Sequence, residues 1–277
     1  MQYLLFSRKT PIFAPQIEDS YPMRIQYASD LHLEYKRNGE YLIQHPIQVM
    51  GEVLVLAGDI GYLGVDETYT SHPFWDWASE HYQQVIVVPG NHEFYQFFDI
   101  DTLHEGWMLP IRHNVHCYYN CVIRLGEDID LMATTLWSRV APENGRYTQF
   151  GVTDFHRIRS GEESLTWPRF NEEHERCLAF LQRAVSESTA KHIVVASHHV
   201  PTFQLLYPEF ASKSYSGAFA VELAPYIAQS PIKYWIFGHS HYNIGMRIGK
   251  TQLVCDQLGY IHHGEHQDFA GNKFFTV

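Results

Sequence analysis

Cysteine is scarce in this chain. Cys117, Cys121, Cys177 and Cys255 are the only ones in 277 residues, and their spacing forms no paired zinc motif. A chain of this length needs no disulfide staples, so reduced thiols are expected. Basic residues are in deficit too: 20 Lys and Arg stand against 31 Asp and Glu, a net charge of -11. That excludes the basic track a long nucleic acid requires. It leaves room for a small anionic substrate if a metal supplies local positive charge. Long apolar runs are missing. The opening stretch MQYLLFSRKTPIFAPQIEDSYP has only Tyr3 to Phe6, too short for a secretory core or a bilayer span. A cytoplasmic protein without membrane contact is expected. No repeat or linker divides the remainder, so the reading is an irregular extension over 1–22 and one domain over 23–277.

What the chain does have is histidine, 18 of them. It also has strands alternating with helices. Ile25 to Ala28, Val53 to Ala57 and Val85 to Val88 read as short apolar strands. Between the last two, Ser71 and Pro73 signal a helix start. Phe74, Trp77, Ala78, His81 and Tyr82 then share a helical face, giving a parallel βαβ unit. Further on, Ile123 to Leu125 and Ile129 to Ala133 predict a hairpin. Asn171 to Ser186 carries a helical stripe of Cys177, Leu178, Leu181, Ala184 and Val185. Ile193 to Ala196 and Tyr234 to Phe237 are strands. Ile244 to Ile248 and Gln252 to Cys255 form a hairpin around Gly249-Lys250.

Five of these strands run into polar residues of metal-binding type: Asp30 and His32; Asp59; Asn91 and His92; His198 and His199; His239 and His241. In an open parallel sheet the carboxyl ends of the strands share one edge, where ligands bind. Glycines before Asp59, Asn91 and His239 suit sharp turns with close backbone approach. Imidazole, carboxylate and one amide without thiolate suit manganese, iron, zinc, cobalt or nickel. The donors are too many for one tetrahedral ion and enough for two, with Asp59 as the natural bridge. Two ions roughly 3.5–4 Å apart clamp an in-line attack on phosphorus.

The ordered series "DLH", "GD", "GNHE", "HH" and "GHSH" from Asp30 to His241 resembles the calcineurin-like metallophosphoesterases. The resemblance implies an α/β fold of four layers, two mixed sheets flanked by helices. It implies two metal ions, one on Asp30, His32, Asp59 and His241, the other on Asp59, Asn91, His198 and His239. His199 shares the histidine motif with His198, and the choice between them stays open. The mechanism implied is attack by a metal-bridging hydroxide, with His92 protonating the leaving group. The substrate is then a small phosphomonoester or phosphodiester. A non-catalytic scaffold of the same fold and a nuclease are the competing readings. The intact motif set disfavours the scaffold, and the charge disfavours the nuclease.

One departure stands out. Three residues after the bridging aspartate, serine/threonine phosphatases of this family carry an aspartate that supports the catalytic histidine. Purple acid phosphatases carry an iron-binding tyrosine there but lack a histidine like His32. This chain has both Tyr62 and His32, and Tyr62 is read as a packing or hydrogen-bonding neighbour. Selectivity is left to loops: Arg37; Trp137 and Arg139 in "TTLWSRV"; His156, Arg157 and Arg159 in "DFHRIRSGEE"; Tyr95, Phe97 and Phe98 after "GNHE".

Overall fold

Strands buried on both faces need cover on both sides, and that requirement sets the architecture. β3 (Val53–Ala57) and β4 (Gln84–Val88) are buried at every position. They pair in parallel with each other, and β2 (Arg24–Ala28) pairs in parallel with β3. The computed structural model describes residues 22–64 and 67–277, with the backbone of β1 (Ile12–Phe13). β5 (Trp107–Arg112), β6 (Val115–Tyr119) and β15 (Phe274–Thr276) complete a six-stranded sheet in the order β15-β2-β3-β4-β6-β5.

The second sheet is built from β7 (Cys121–Leu125), β8 (Ile129–Thr134), β11 (His192–Ser197), β12 (Ile232–Ile236), β13 (Met246–Ile248) and β14 (Thr251–Val254). Its order is β1-β7-β8-β11-β12-β14-β13. A separate short hairpin joins β9 (Arg159–Ser160) to β10 (Glu163–Ser164). Both sheets mix parallel and antiparallel pairs. The extension read over 1–22 lies outside the described residues except for Pro22 and for Ile12–Phe13, which run beside Ile123 and Arg124.

Period-two alternation sorts the apolar side chains into layers. Val53, Val55, Ile86 and Val88 meet Ile123, Leu131, Val194 and Ile236 between the sheets. The alternate residues Leu54, Leu56, Val85 and Val87 face outward onto Trp75, Ala78 and Tyr82. On the far side Val195 and Trp235 pack under Phe180, Leu181 and Ile227. Three apolar layers separate four backbone layers, helix, sheet, sheet, helix, as the resemblance implied.

Helices α1 (Lys36–Gln44) and α2 (Phe74–His81) cross over the first sheet. The small helices α3 (Gly145–Gly151) and α4 (Asp154–Arg157) precede the long α5 (Trp167–Glu187), and α6 (Pro208–Ala211) and α7 (Ala224–Gln229) follow. The face expected of α2 is corrected by one residue. Trp75, Ala78 and Tyr82 are buried, Phe74 and Trp77 are half-buried, and His81 is exposed. The indole N–H of Trp75 donates to the Tyr69 carbonyl at 2.6 Å, and that bond turns the larger ring inward.

β2, β3 and β4 are parallel, as are β11 and β12. Their carboxyl ends open into the loops that carry the polar motifs.

Candidate metal centre

These loops leave their strands by unusual backbone. Asp30, His32, Asp59, His239 and His241 have φ of 55°, 47°, 56°, 71° and 49°. The left-handed region costs roughly 1–3 kcal/mol for each non-glycine residue held there. Hydrogen bonds between loops hold it. His32 N–H donates to the Asp59 carbonyl at 2.9 Å, and His239 N–H donates to the Asp30 carboxylate at 3.1 Å. Two glycines make the closeness feasible: a Cβ on Gly58 would collide with the His198 ring, and one on Gly90 with the Asp59 carboxylate.

The seven expected residues come together as two clusters sharing Asp59. Asp30, His32, Asp59 and His241 form one; Asp59, His198 and His239 form the other, with the Asn91 amide oxygen 3.0 Å from His198 Nε2. His198 and His199 part ways here. His198 faces the cluster. His199 is buried beside His239, Trp137 and Phe170, and among the described residues neither of its ring nitrogens has a hydrogen-bond partner.

The donor chemistry tests whether cations fit. His32 Nδ1–H donates to Glu34 at 2.9 Å and His241 Nδ1–H to Glu265 at 2.6 Å. Each neutral ring then presents a bare Nε2, and the two stand 3.1 Å apart. His198 Nδ1–H donates to the Ala57 carbonyl at 2.8 Å. Its Nε2 lone pair therefore faces the Asp59 Oδ1 acceptor at 3.3 Å, with His239 Nδ1 3.1 Å away. Such opposed acceptors need positive charge between them. Without an ion a proton takes that place: against burial, Asp59 lifts the pKa of His198 to about 9, and Asp30 with Glu265 lifts His241 to about 10. The same field suits a divalent ion, and the hydrogen-bonded Nδ1 atoms are the orienting contacts that metal-binding histidines use.

Asp154 orients Asn91. Its Oδ1 accepts from Asn91 Nδ2 at 2.9 Å and from the Tyr95 hydroxyl at 2.6 Å, which turns the amide oxygen of Asn91 toward His198. Glu93 braces the whole turn, accepting from the backbone N–H of Asp59, Ile60 and Gly90 at 2.8, 2.7 and 2.6 Å.

His92 sits beside the shared aspartate, its Nε2 4.0 Å from Asp59 Oδ2. Its Nδ1 lies 2.9 Å from Glu34 Oε1, the same oxygen that holds His32. Burial opposes charge on this ring, but Asp59 and Glu34 outweigh it and raise the pKa. The carboxylate absent at position 62 is thus supplied by Glu34, from the first motif.

Residues 23–243 match the family model for the calcineurin-like phosphoesterases. The chain belongs to this family. It is therefore a phosphoesterase, a hydrolase of the metal-binding kind. It is 25% identical over 281 residues to an uncharacterised protein of Acanthamoeba polyphaga mimivirus, covering 92% of this chain and 97% of that one. Among solved structures it resembles phosphopantetheinyl hydrolase from Mycobacterium tuberculosis, with a TM-score of 0.62 and 16% identity, over 91% of this chain and 95% of that one. At that identity the likeness speaks for the fold.

The other residues singled out in this phosphoesterase separate clearly. Tyr62 stacks on His92 with ring centroids 5.9 Å apart. Burial and a hydrogen bond with Tyr35 raise its pKa. Tyr95 is buried and stacks on His92 at 4.3 Å, and its ring centroid is 6.0 Å from that of Tyr62. Trp137 is fully buried and stacks on Phe94. Arg37 is exposed on α1, Arg139 pairs loosely with Glu175 at 3.8 Å, and Phe97 points outward. His156 faces the Phe150 carbonyl at 3.0 Å. Arg157 is exposed, and Arg159 and Phe98 are half-buried. Glu34, Asp154, Tyr260 and Glu265 escaped the sequence reading. Glu34 had a signal, since it lies two residues past His32; Tyr260 and Glu265 follow no strand pattern at all.

A protonated, stacked Tyr62 makes a spectroscopic prediction. Protein loaded with ferric iron should show no visible phenolate charge-transfer band, and Tyr62→Phe should keep the ion content of the parent. A purple band that vanishes in Tyr62→Phe would show direct ligation instead.

Proposed function

We propose that this phosphoesterase hydrolyses a small phosphomonoester or phosphodiester with two divalent ions. Asp30, His32, Asp59 and His241 would hold one ion. Asp59, Asn91, His198 and His239 would hold the other. The observation that carries this reading is the pair of acceptor-to-acceptor contacts around one shared carboxylate, His32 Nε2 against His241 Nε2 and His198 Nε2 against Asp59 Oδ1. Nitrogen and oxygen donors without thiolate favour manganese, iron, zinc, cobalt or nickel. Such ions, when bound, supply positive charge to the phosphoryl group and make water nucleophilic near neutral pH.

The chain's own residues do the rest. Glu34 fixes the His92 ring by its Nδ1, so Nε2 is presented to the substrate. His92 gives its Nε2 proton to the departing alkoxide as the P–O bond breaks. Tyr62 and Tyr95 pack against the imidazole and limit its rotation. The acidic surface favours a small substrate over a long nucleic acid. Among the described residues no helix is long and apolar enough to cross a membrane.

The test is a screen of monoesters, diesters and cyclic nucleotides with each candidate metal, run alongside Asp59→Asn. Turnover with at least one class is expected, lost in Asp59→Asn together with metal. Ion-loaded protein inert toward every class would favour the scaffold reading and overturn this one.

A further inference from the structure

Four tyrosines surround His92 and its supporting carboxylates, and three have their hydroxyls committed elsewhere. Tyr95 donates to Asp154 at 2.6 Å, Tyr69 to Glu93 at 3.4 Å, and Tyr62 pairs with Tyr35. The fourth, Tyr260, places its hydroxyl 3.1 Å from His92 Nε2. That is the nitrogen facing the metal-ligand cluster, since Nδ1 is tied to Glu34.

The position of Tyr260 is built rather than incidental. Its ring packs on His32 with centroids 4.5 Å apart and meets His241 edge-on at 4.7 Å. Its N–H donates to Glu265 at 2.7 Å, the carboxylate that also holds His241. The preceding Gly259 N–H donates to the Asp30 carbonyl at 3.1 Å, and the Gly259 carbonyl accepts from Asn38 at 2.8 Å. Gly259 has φ of 67°, and a Cβ there would crowd Glu265. The loop is thus fastened to the first motif, to the last motif and to α1. Fixed this way, the hydroxyl keeps its aim without reorganising when substrate arrives.

We infer that Tyr260 is a catalytic residue whose hydroxyl donates a hydrogen bond to the leaving-group oxygen that His92 protonates. Two groups 3.1 Å apart can both reach one substrate oxygen. With His92 protonated, Nε2–H is the acid and the phenol keeps its own proton. The phenolic O–H then shares the charge that gathers on that oxygen as the P–O bond breaks. Tyr260 ends the step with the proton it began with. The inference rests on the proposed phosphoester hydrolysis and adds the second donor at its leaving-group end.

Tyr260→Phe tests it, because the ring stays against His32 and only the hydroxyl is removed. The variant should keep the wild-type ion content and melting temperature. Turnover of alkyl esters should fall roughly 10²-fold, the scale for losing one preorganised donor. Esters of acidic phenols should lose much less, since little charge gathers on their leaving oxygen. In the metal-free protein the ¹⁵N shift of His92 Nε2 should move on this substitution. Equal losses on both ester types, no loss at all, or an unmoved imidazole shift would overturn the assignment. Vanadate binding to the metal-loaded protein separates this inference from the reading beneath it, because an apical oxygen of bound vanadate stands at the leaving-group position. If the wild type turns over no ester, weaker vanadate binding in Tyr260→Phe still supports the contact, and unchanged binding refutes it.

Discussion

His92→Ala is expected to retain both metal ions and to slow hydrolysis of alkyl phosphoesters by roughly 10²–10⁴-fold, the range of proton-transfer catalysis. The expectation comes from how the imidazole is held. Glu34 engages Nδ1, Tyr62 and Tyr95 pack against the ring, and Nε2 is left to the site beside the Tyr260 hydroxyl. In the metal-free site Asp59 and Glu34 overcome burial to raise the pKa; with cations on Asp59, the Glu34 hydrogen bond at Nδ1 is what favours the protonated ring. Removing that proton source matters most when the leaving alkoxide is basic. The loss should shrink for esters of acidic phenols, which depart without protonation. Steady-state kinetics on a leaving-group series measures it, and a loss of one size across the series would assign His92 an electrostatic or structural part instead.

Glu93→Gln should be strongly destabilising, although the two side chains are nearly the same shape. Oε1 of Glu93 accepts the N–H groups of Ile60 and Gly61, and Oε2 accepts those of Asp59 and Gly90. Both oxygens are therefore acceptors for backbone donors in a site with no access to water. An amide offers one oxygen and turns an NH₂ group against the other pair. Two buried N–H groups lose their acceptor, at roughly 1–3 kcal/mol each, so about 2–6 kcal/mol in total. Burial and the nearby Asp59 push the Glu93 pKa up to about 7, opposed by the backbone N–H of Ile60 and Gly90. A urea unfolding midpoint measured for both proteins at pH 8, where the carboxylate is ionised, gives the difference. Parity between them would mean that Glu93 does not brace the Asp59 turn.

The motif residues were legible because each stands just past an apolar strand, and strands of period two are plain in this sequence. Val53–Ala57 was read to the residue and is buried on both faces, whereas the four layers were implied by the family resemblance alone. The turns were legible through glycine, since Gly58 and Gly90 announce close approach; Asp and His adopt left-handed backbone more readily than most residues, but no local pattern singles out Asp30, His32 or His241. That geometry is imposed by hydrogen bonds between loops distant in sequence. Glu34 stood in view two residues past His32, but its partner did not. Its bond to His92 spans 58 residues, and no local pattern reports it. The Tyr260–Glu265 loop reaches the site because the N–H groups of Leu258 and Gly259 donate to the Ser29 and Asp30 carbonyls, partners far away in sequence. Strands β5 and β6 were missed because Pro110 and a shift of register break the alternation that would reveal them. The helical face of α2 was shifted because Trp75, whose indole N–H has the Tyr69 carbonyl as partner, takes the fully buried place beside Ala78 and Tyr82, with Phe74 and Trp77 at its edge.

Everything said of the site depends on two cations sharing Asp59, and counting them is the most direct test. The protein purified with manganese present and freed of loose metal is to be measured by elemental analysis, next to Asp59→Asn. Two ions per chain are predicted for the wild type. Fewer are predicted for the variant, because an amide keeps one weak oxygen donor where the carboxylate offered two charged ones. One ion or none in the wild type, or an undiminished count in Asp59→Asn, would contradict the account.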